Sequence, residues 1–228
     1  MQKRKWKRWI VVFGVILAVL LFADQAARVW AEGKLRDRAA AYYPPSTSAS
    51  ASIRSFPFLG RLLASGTVPE VTLSMQDVRY GLVLVSTLTF DLHSVEIDRG
   101  ELIKGHVRLL DVGQVRIEAR LDGTSIGRAL GVDLRLGDGV IQLQKQVQGV
   151  KVSATAKVTF TGNVVRIEPI KVQGAAVPPA ALTVSYKIPG AELLPCKADV
   201  RVVAGAVILS CTVNDVPAGF VQRTPIGG

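Results

Sequence analysis

His93 and His106 are the only imidazoles in the chain, and Cys196 and Cys211 the only thiols. Hydrolysis by a Ser-His-Asp set needs one of those histidines beside a serine on a sharp strand-to-helix elbow, and neither has that setting. His93 ends an alternating stretch and reads as a solvated strand residue; His106 follows Lys104-Gly105 and reads as a turn residue. A structural zinc site takes four Cys or His ligands in close-spaced pairs, which this complement does not supply. No P-loop, dinucleotide fingerprint or paired-carboxylate motif occurs. Hydrolysis by dispersed carboxylates is the one enzymatic alternative, and the expectation is a protein without catalysis, cofactor or metal.

The thiols point to a different chemistry. Cys196 precedes and Cys211 ends the stretch KADVRVVAGAVILSC, two apolar arms that fold near Ala204 and Gly205. A disulfide across such a hairpin forms only outside a reducing cytoplasm, so the pairing and an exported location are expected together. Two buried free thiols are the alternative.

Export has its own signal. Trp9 to Ala23 (WIVVFGVILAVLLFA) is apolar throughout and follows the basic residues Lys3, Arg4, Lys5, Lys7 and Arg8. The basic flank stays in the cytoplasm and the remainder crosses. Fifteen helical residues reach about 22 Å, short of the roughly 30 Å of a hydrocarbon core. That length suits the apolar region of a signal peptide, with Ala26, Ala27 and Ala31 small enough for cleavage. A retained anchor instead needs Val29 and Trp30 to extend the apolar helix, which brings Asp24, Gln25 and Arg28 to the far interface. Both readings stand. The chain carries +10 overall; with the five leading basic residues set aside, the rest carries +5. This mild excess suits work beside anionic head groups, or simply solubility. The basic residues are dispersed without interleaved aromatics, which argues against nucleic acid.

About 200 residues follow, enough for one domain. Asp24 to Tyr43 reads as a helical stem or first helix, although Gly33 weakens its middle. Pro57 biases Phe56 toward extended backbone, after which Phe58, Leu59, Leu62 and Leu63 recur at helical spacing and Gly66 can close the helix. This cluster is either a core plug at the end of a sheet or the gate of an apolar cavity. From Val68 onward the period is two. Val71, Leu73 and Met75, then Leu88, Phe90 and Leu92, then Val115, Ile117, Ala119 and Leu121 alternate with polar residues, which marks antiparallel strands with one wet face. Asp98 to Gly105 reads as a polar turn between the second and third. Asp122 or Thr124 can cap a short helix with Ile126, Ala129 and Leu130 inward and Gly131 at its end. Strands resume from Val132 to Leu136 and Val140 to Lys145. Next comes the long run in which Val150, Val152, Ala154, Ala156, Val158 and Phe160 share a face, then Val164 to Val172 after a Gly162-Asn163 turn. Ala180 to Ile188 is ambiguous between strand and helix, and Val216 to Gly228 reads as a loose tail.

Several of these stretches together resemble the LmeA-like family of actinobacterial envelope proteins. They are the apolar leader, SFPFL at Ser55 to Leu59 before a short helix, VTLSMQDV at Val71 to Val78, the small-helix-then-LGDGVIQL pattern at Gly131 to Leu143, and IPGAELLP at Ile188 to Pro195 before a closing hairpin. Relatives carry leucine where this chain has Ile188. The resemblance implies binding of anionic phospholipid, phosphoinositides included, and a part in assembling lipomannan-type lipoglycans; it implies no catalytic residue. The expected fold is α+β: a long curved antiparallel sheet with a few helices, tubular lipid-binding-like, enclosing an apolar lipid cavity behind a signal or anchor helix. Residues 1–23 form the signal or anchor, 24–45 the helical stem or first helix, 46–215 the lipid-binding domain and 216–228 the tail. Phe56, Phe58, Leu59, Leu62, Leu63, Leu73, Met75, Phe90, Val152 and Phe160 are the expected lipid contacts. Phospholipid and the membrane surface are the expected partners in the periplasm or envelope. The alternative function is a lipid-free envelope scaffold that docks a membrane enzyme.

Overall fold

The computed structural model describes residues 2–42, 48–80, 82–103, 109–137, 139–147, 150–161, 164–173, 178, 182–187, 196, 199–214 and 216. His106, the Gly162-Asn163 turn, the IPGAELLP segment and residues 217–228 lie outside them. The fold is α+β, with a long N-terminal helix and antiparallel sheets curled into a half-barrel.

Helix α1 runs unbroken from Gln2–Tyr42 and passes through Gly33. Its two halves differ in surroundings. Side chains from Trp9 to Ala23 are all exposed, whereas Asp24 and Ala39 are buried, and Ala27, Ala31 and Leu35 pack against the core. Asp24, Ala27, Ala31, Leu35 and Ala39 recur every three or four residues, the period of one helical face. Of the two expectations for this stretch, stem or first helix, the packing is that of a first helix of the domain.

The first sheet has the order β1-β2-β3-β4-β11-β10, from β1 (Ser48–Arg54), β2 (Thr67–Tyr80), β3 (Val83–Ile97), β4 (Leu109–Asp122), β10 (Asp199–Val203) and β11 (Ala206–Asn214). The second has the order β5-β6-β7-β8-β9, from β5 (Asp133–Gly137), β6 (Val140–Val147), β7 (Val150–Thr161), β8 (Val164–Gln173) and β9 (Val184–Lys187). Within the Ala180 to Ile188 stretch, Val184–Lys187 is strand and Leu182 before it is a 3-10 residue. The alternation read from the sequence holds: Val71, Leu73 and Met75 are buried on β2, and Val152, Ala154 and Ala156 on β7. Register breaks at Val85/Thr87 and Glu96/Ile97 in the β3–β4 pair and at Thr155/Ala156 in the β7–β8 pair are bulges, which bend strands and add twist. Both sheets feed one continuous core, with Met75 and Val78 from the first and Ile141, Leu143 and Ile167 from the second.

Three short helices fill the connections. Helix α2 (Phe58–Ser65) ends on Gly66 at φ 73°, whose N–H donates to the Leu62 carbonyl. Helix α3 (Arg99–Ile103) replaces part of the expected Asp98–Gly105 turn: the Asp98 carboxylate accepts from the Gly100 and Glu101 amides, at 2.9 and 3.2 Å, and so starts a helical turn. Helix α4 (Gly123–Leu130) matches its expectation closely, capped by Asp122 through Ser125 N–H at 2.7 Å and closed by Gly131. It sits tight on the start of β5, for a Cβ at Gly127 would lie 2.8 Å from the carbonyl oxygen of Val132, just before the strand, and 3.2 Å from Leu134 Cβ within it. Gly127→Val is expected to cost about 1–3 kcal/mol through overpacking, read as a lowered melting temperature.

The closing hairpin seams the sheets together. It turns at Ala204-Gly205, as expected, and Gly205 N–H donates to Leu136 O of β5 while Gly123 N–H donates to Gly205 O, both at 3.0 Å. Cys196 and Cys211 form a disulfide. Its sequence separation of 15 residues gives about 3 kcal/mol of loop-closure stabilisation. The Cys196→Ser/Cys211→Ser double variant is expected to lose that amount in thermal unfolding followed by circular dichroism.

Candidate lipid-facing site

The site grows from a missing cap. Helix α2 starts after Pro57, which has no side chain able to satisfy the first amides. Asp24 of α1 takes that role from 34 residues away: its Oδ2 accepts from Phe58 N–H at 3.0 Å and its Oδ1 from Leu59 N–H at 2.6 Å. A carboxylate at a helix N-terminus is also favoured by the helix dipole. Two turns further along α1, Glu32 Oε1 accepts from Ile53 N–H on β1 at 2.8 Å. Between them Arg28 faces the same way, its Nε buried and 3.9 Å from Glu32 Oε1. Hence α1 grips both the edge strand and the turn that follows it, and the chain from Ile53 to Phe58 runs back along α1 toward the apolar half.

The far end of α2 is held as well. Arg99 Nη1 donates to the Leu63 and Ala64 carbonyls at 3.2 and 3.1 Å. Beside it lies an open groove of about 460 Å³ between α2 and α3, lined by Ser65, Gly66, Glu96, Ile97, Asp98, Arg99, Gly100 and Leu110.

This geometry divides the expected lipid contacts into three groups. Phe58 and Leu62 are each 5% exposed and point into the core, where Leu73, Met75 and Val152 are also buried. Leu59 and Phe90 are half-buried against that core. Phe56 and Leu63 are each 61% exposed and point away from it. Phe160 lies on β7, and its side chain falls outside the described residues. The cluster is thus two-faced, plugging the core with one side and presenting apolar surface with the other. Asp24 and Arg99 are the additions that periodicity does not reveal. The available signal for Asp24 is an acidic residue directly after an apolar run, together with a helix start that lacks its own cap.

His93 is half-buried on β3, in register with Glu70 and Gln114. Among the described residues no group of three or more His, Cys, Asp or Glu side chains is placed to hold a metal ion.

A half-barrel with an aliphatic interior, carried on a helix long and apolar enough by length and composition to cross a membrane, is the class of body that can handle an apolar ligand. The chain belongs to the LmeA-like phospholipid-binding family, whose model matches residues 22–217. The match includes Asp24, both halves of the α1–α2 joint and the closing hairpin. Comparison with curated proteins finds no match, and comparison with solved structures finds none.

Proposed function

We propose that the protein is a non-catalytic envelope component, retained at the membrane by α1, that binds anionic phospholipid, phosphoinositides included, and thereby supports assembly of lipomannan-type lipoglycans. The observation that carries the reading is the Asp24 joint. A lipid-binding body is locked by its α2 amides to the first residue beyond the apolar half of α1. Cleavage after Ala26, Ala27 or Ala31 removes Asp24 and leaves two α2 amides without acceptors, so the joint favours a retained anchor over a cleaved signal. The disulfide suits the oxidising side of that membrane.

In this reading the acyl chains enter beside Leu59 and Leu63 and lie against the aliphatic interior of the half-barrel near Leu73, Met75, Phe90 and Val152. Each methylene taken out of water contributes about 0.8 kcal/mol, so partial burial of two chains suffices without any polar motif. Basic side chains at the α2 end meet the phosphate. Lipid extraction and mass spectrometry of the detergent-purified chain are expected to recover stoichiometric anionic phospholipid. Protein that is consistently free of lipid, and that takes up no labelled phosphatidylinositol, overturns the binding reading. Depletion of the protein in its own cells is expected to lower lipomannan-type lipoglycan; unchanged lipoglycan overturns that part alone.

A further inference from the structure

We propose that α2 and the turn before it are themselves inserted in the bilayer leaflet through which α1 leaves the membrane, with Phe56 and Leu63 among the acyl chains and Arg61 and Arg99 at the head groups. This rests on the retained-anchor reading above. It starts from the exposed face of α1. From Trp9 to Trp30 that face carries apolar side chains with the single exception of Gln25, and the next exposed side chains, Lys34, Arg36, Asp37 and Arg38, are charged. Trp9 and Trp30 are 21 residues apart, about 32 Å of helix, which matches a hydrocarbon core of roughly 30 Å. Tryptophans at both ends are where an aromatic belt belongs. The bilayer-facing stripe thus outruns the fifteen-residue apolar segment, because the two charged residues between Ala23 and Trp30, Asp24 and Arg28, turn toward the domain.

Depth then follows from the helix rise. Asp24 precedes Trp30 by six residues, so it lies about 9 Å further into the membrane. Phe58 N–H is 3.0 Å from the Asp24 carboxylate, which puts the first turn of α2 at the same level. Apolar faces of interfacial helices sink roughly 5–10 Å below the head groups, the same range. The surface of α2 fits such a position. Its sequence FLGRLLAS holds no acidic residue, and Phe56, Gly60, Leu63 and Ala64 are exposed. Arg61 is its one charge and has the stem length to reach the head groups, while Arg99 is fixed at the helix end. Leu82 is an internal contrast. It is as exposed as Leu63, yet it sits at the far end of β2, a 14-residue strand about 45 Å long.

Spin labels test this directly, since the described cysteines are both in the disulfide and an introduced thiol reacts alone. The full chain bearing Leu63→Cys, Phe56→Cys or Leu82→Cys is labelled and reconstituted in phosphatidylcholine vesicles containing phosphatidylglycerol. Labels at Leu63→Cys and Phe56→Cys are expected to collide with oxygen and to lose contact with a water-soluble nickel chelate. The Leu82→Cys label shows the reverse. Equal nickel contact at all three positions overturns the proposal, as does a Leu63→Cys label shielded from both reagents, which indicates a protein partner or second copy. If an alkaline wash strips the chain from the vesicles, the anchored reading falls and this one with it; full retention with an open label sinks this one alone. Lipid recovered on extraction reports separately on phospholipid binding.

Discussion

Asp24→Ala is expected to lower the stability of the whole domain by about 3 kcal/mol, although the residue directly follows an apolar segment and resembles a simple boundary marker. The carboxylate is 5% exposed and accepts from two amides that have no other cap. A hydrogen bond to a charged group contributes about 1.5–3 kcal/mol, and a buried donor left unpaired costs a similar amount. Alanine removes both acceptors; Asp24→Asn keeps one carbonyl oxygen and is expected to lose about half as much. Asp37→Ala is the control, because Asp37 is exposed and pairs with the neighbouring, likewise exposed Arg36 at 3.3 Å; its effect is expected within about 0.5 kcal/mol. Melting temperatures give the totals, and hydrogen exchange gives the location. In Asp24→Ala the amides of Phe58 and Leu59 should lose protection before those of β3 do. Unchanged protection at those two amides means that α2 does not need the cap, and the link between anchor and domain then fails.

The contrast between Asp24 and α4 shows what the sequence makes legible. Helix α4 carries its own cap in Asp122, its inward residues at helical spacing and its stop in Gly131, so all of its signals lie within ten residues and it is read correctly. Helix α2 is equally visible from Phe58 to Gly66, but its cap lies on another element, and no local pattern encodes a partner 34 residues away. Strand faces are legible for the same local reason, since alternation needs only neighbours. The division into two sheets is not, because β4 pairs with β11, Cys211 opposite Ile117, across most of the domain and the whole second sheet. Periodicity states which side of a strand is buried and is silent about which strand lies beside it. The cysteine pair is the exception: a covalent constraint makes one distant contact readable from composition alone. At the site, apolar character picked out Phe56, Phe58, Leu62 and Leu63 together. It could not sort them, because both a core and a membrane select the same side chains.

That sorting leads to the second large effect, and adjacent residues carry it. Leu62→Asp is expected to abolish folding and Leu63→Asp to preserve it. Leu62 is 5% exposed and belongs to the shared core together with Phe58, Val68 and the inner side chains of β2. Truncating such a leucine costs about 2–5 kcal/mol before any charge is added, and burying an uncompensated carboxylate costs several more. Together these approach the 5–15 kcal/mol by which domains of this size are stable. Phe58→Asp belongs with it. Leu63 is 61% exposed and lies outside the packed core, so its aspartate breaks no core contact; the cost to the fold is a negative charge near the C-terminus of α2, about 1 kcal/mol or less. Circular dichroism of the three variants in detergent reads the fold, and uptake of labelled phosphatidylinositol by the folded ones reads the ligand. A folded Leu63→Asp chain that takes up less lipid assigns the outward face of α2 to entry, while its inward face acts as the plug. Normal uptake by Leu63→Asp removes that face from the lipid path. A folded Leu62→Asp chain contradicts the plug, because an ionised group survives at that position only if the core opens there to water or to head groups.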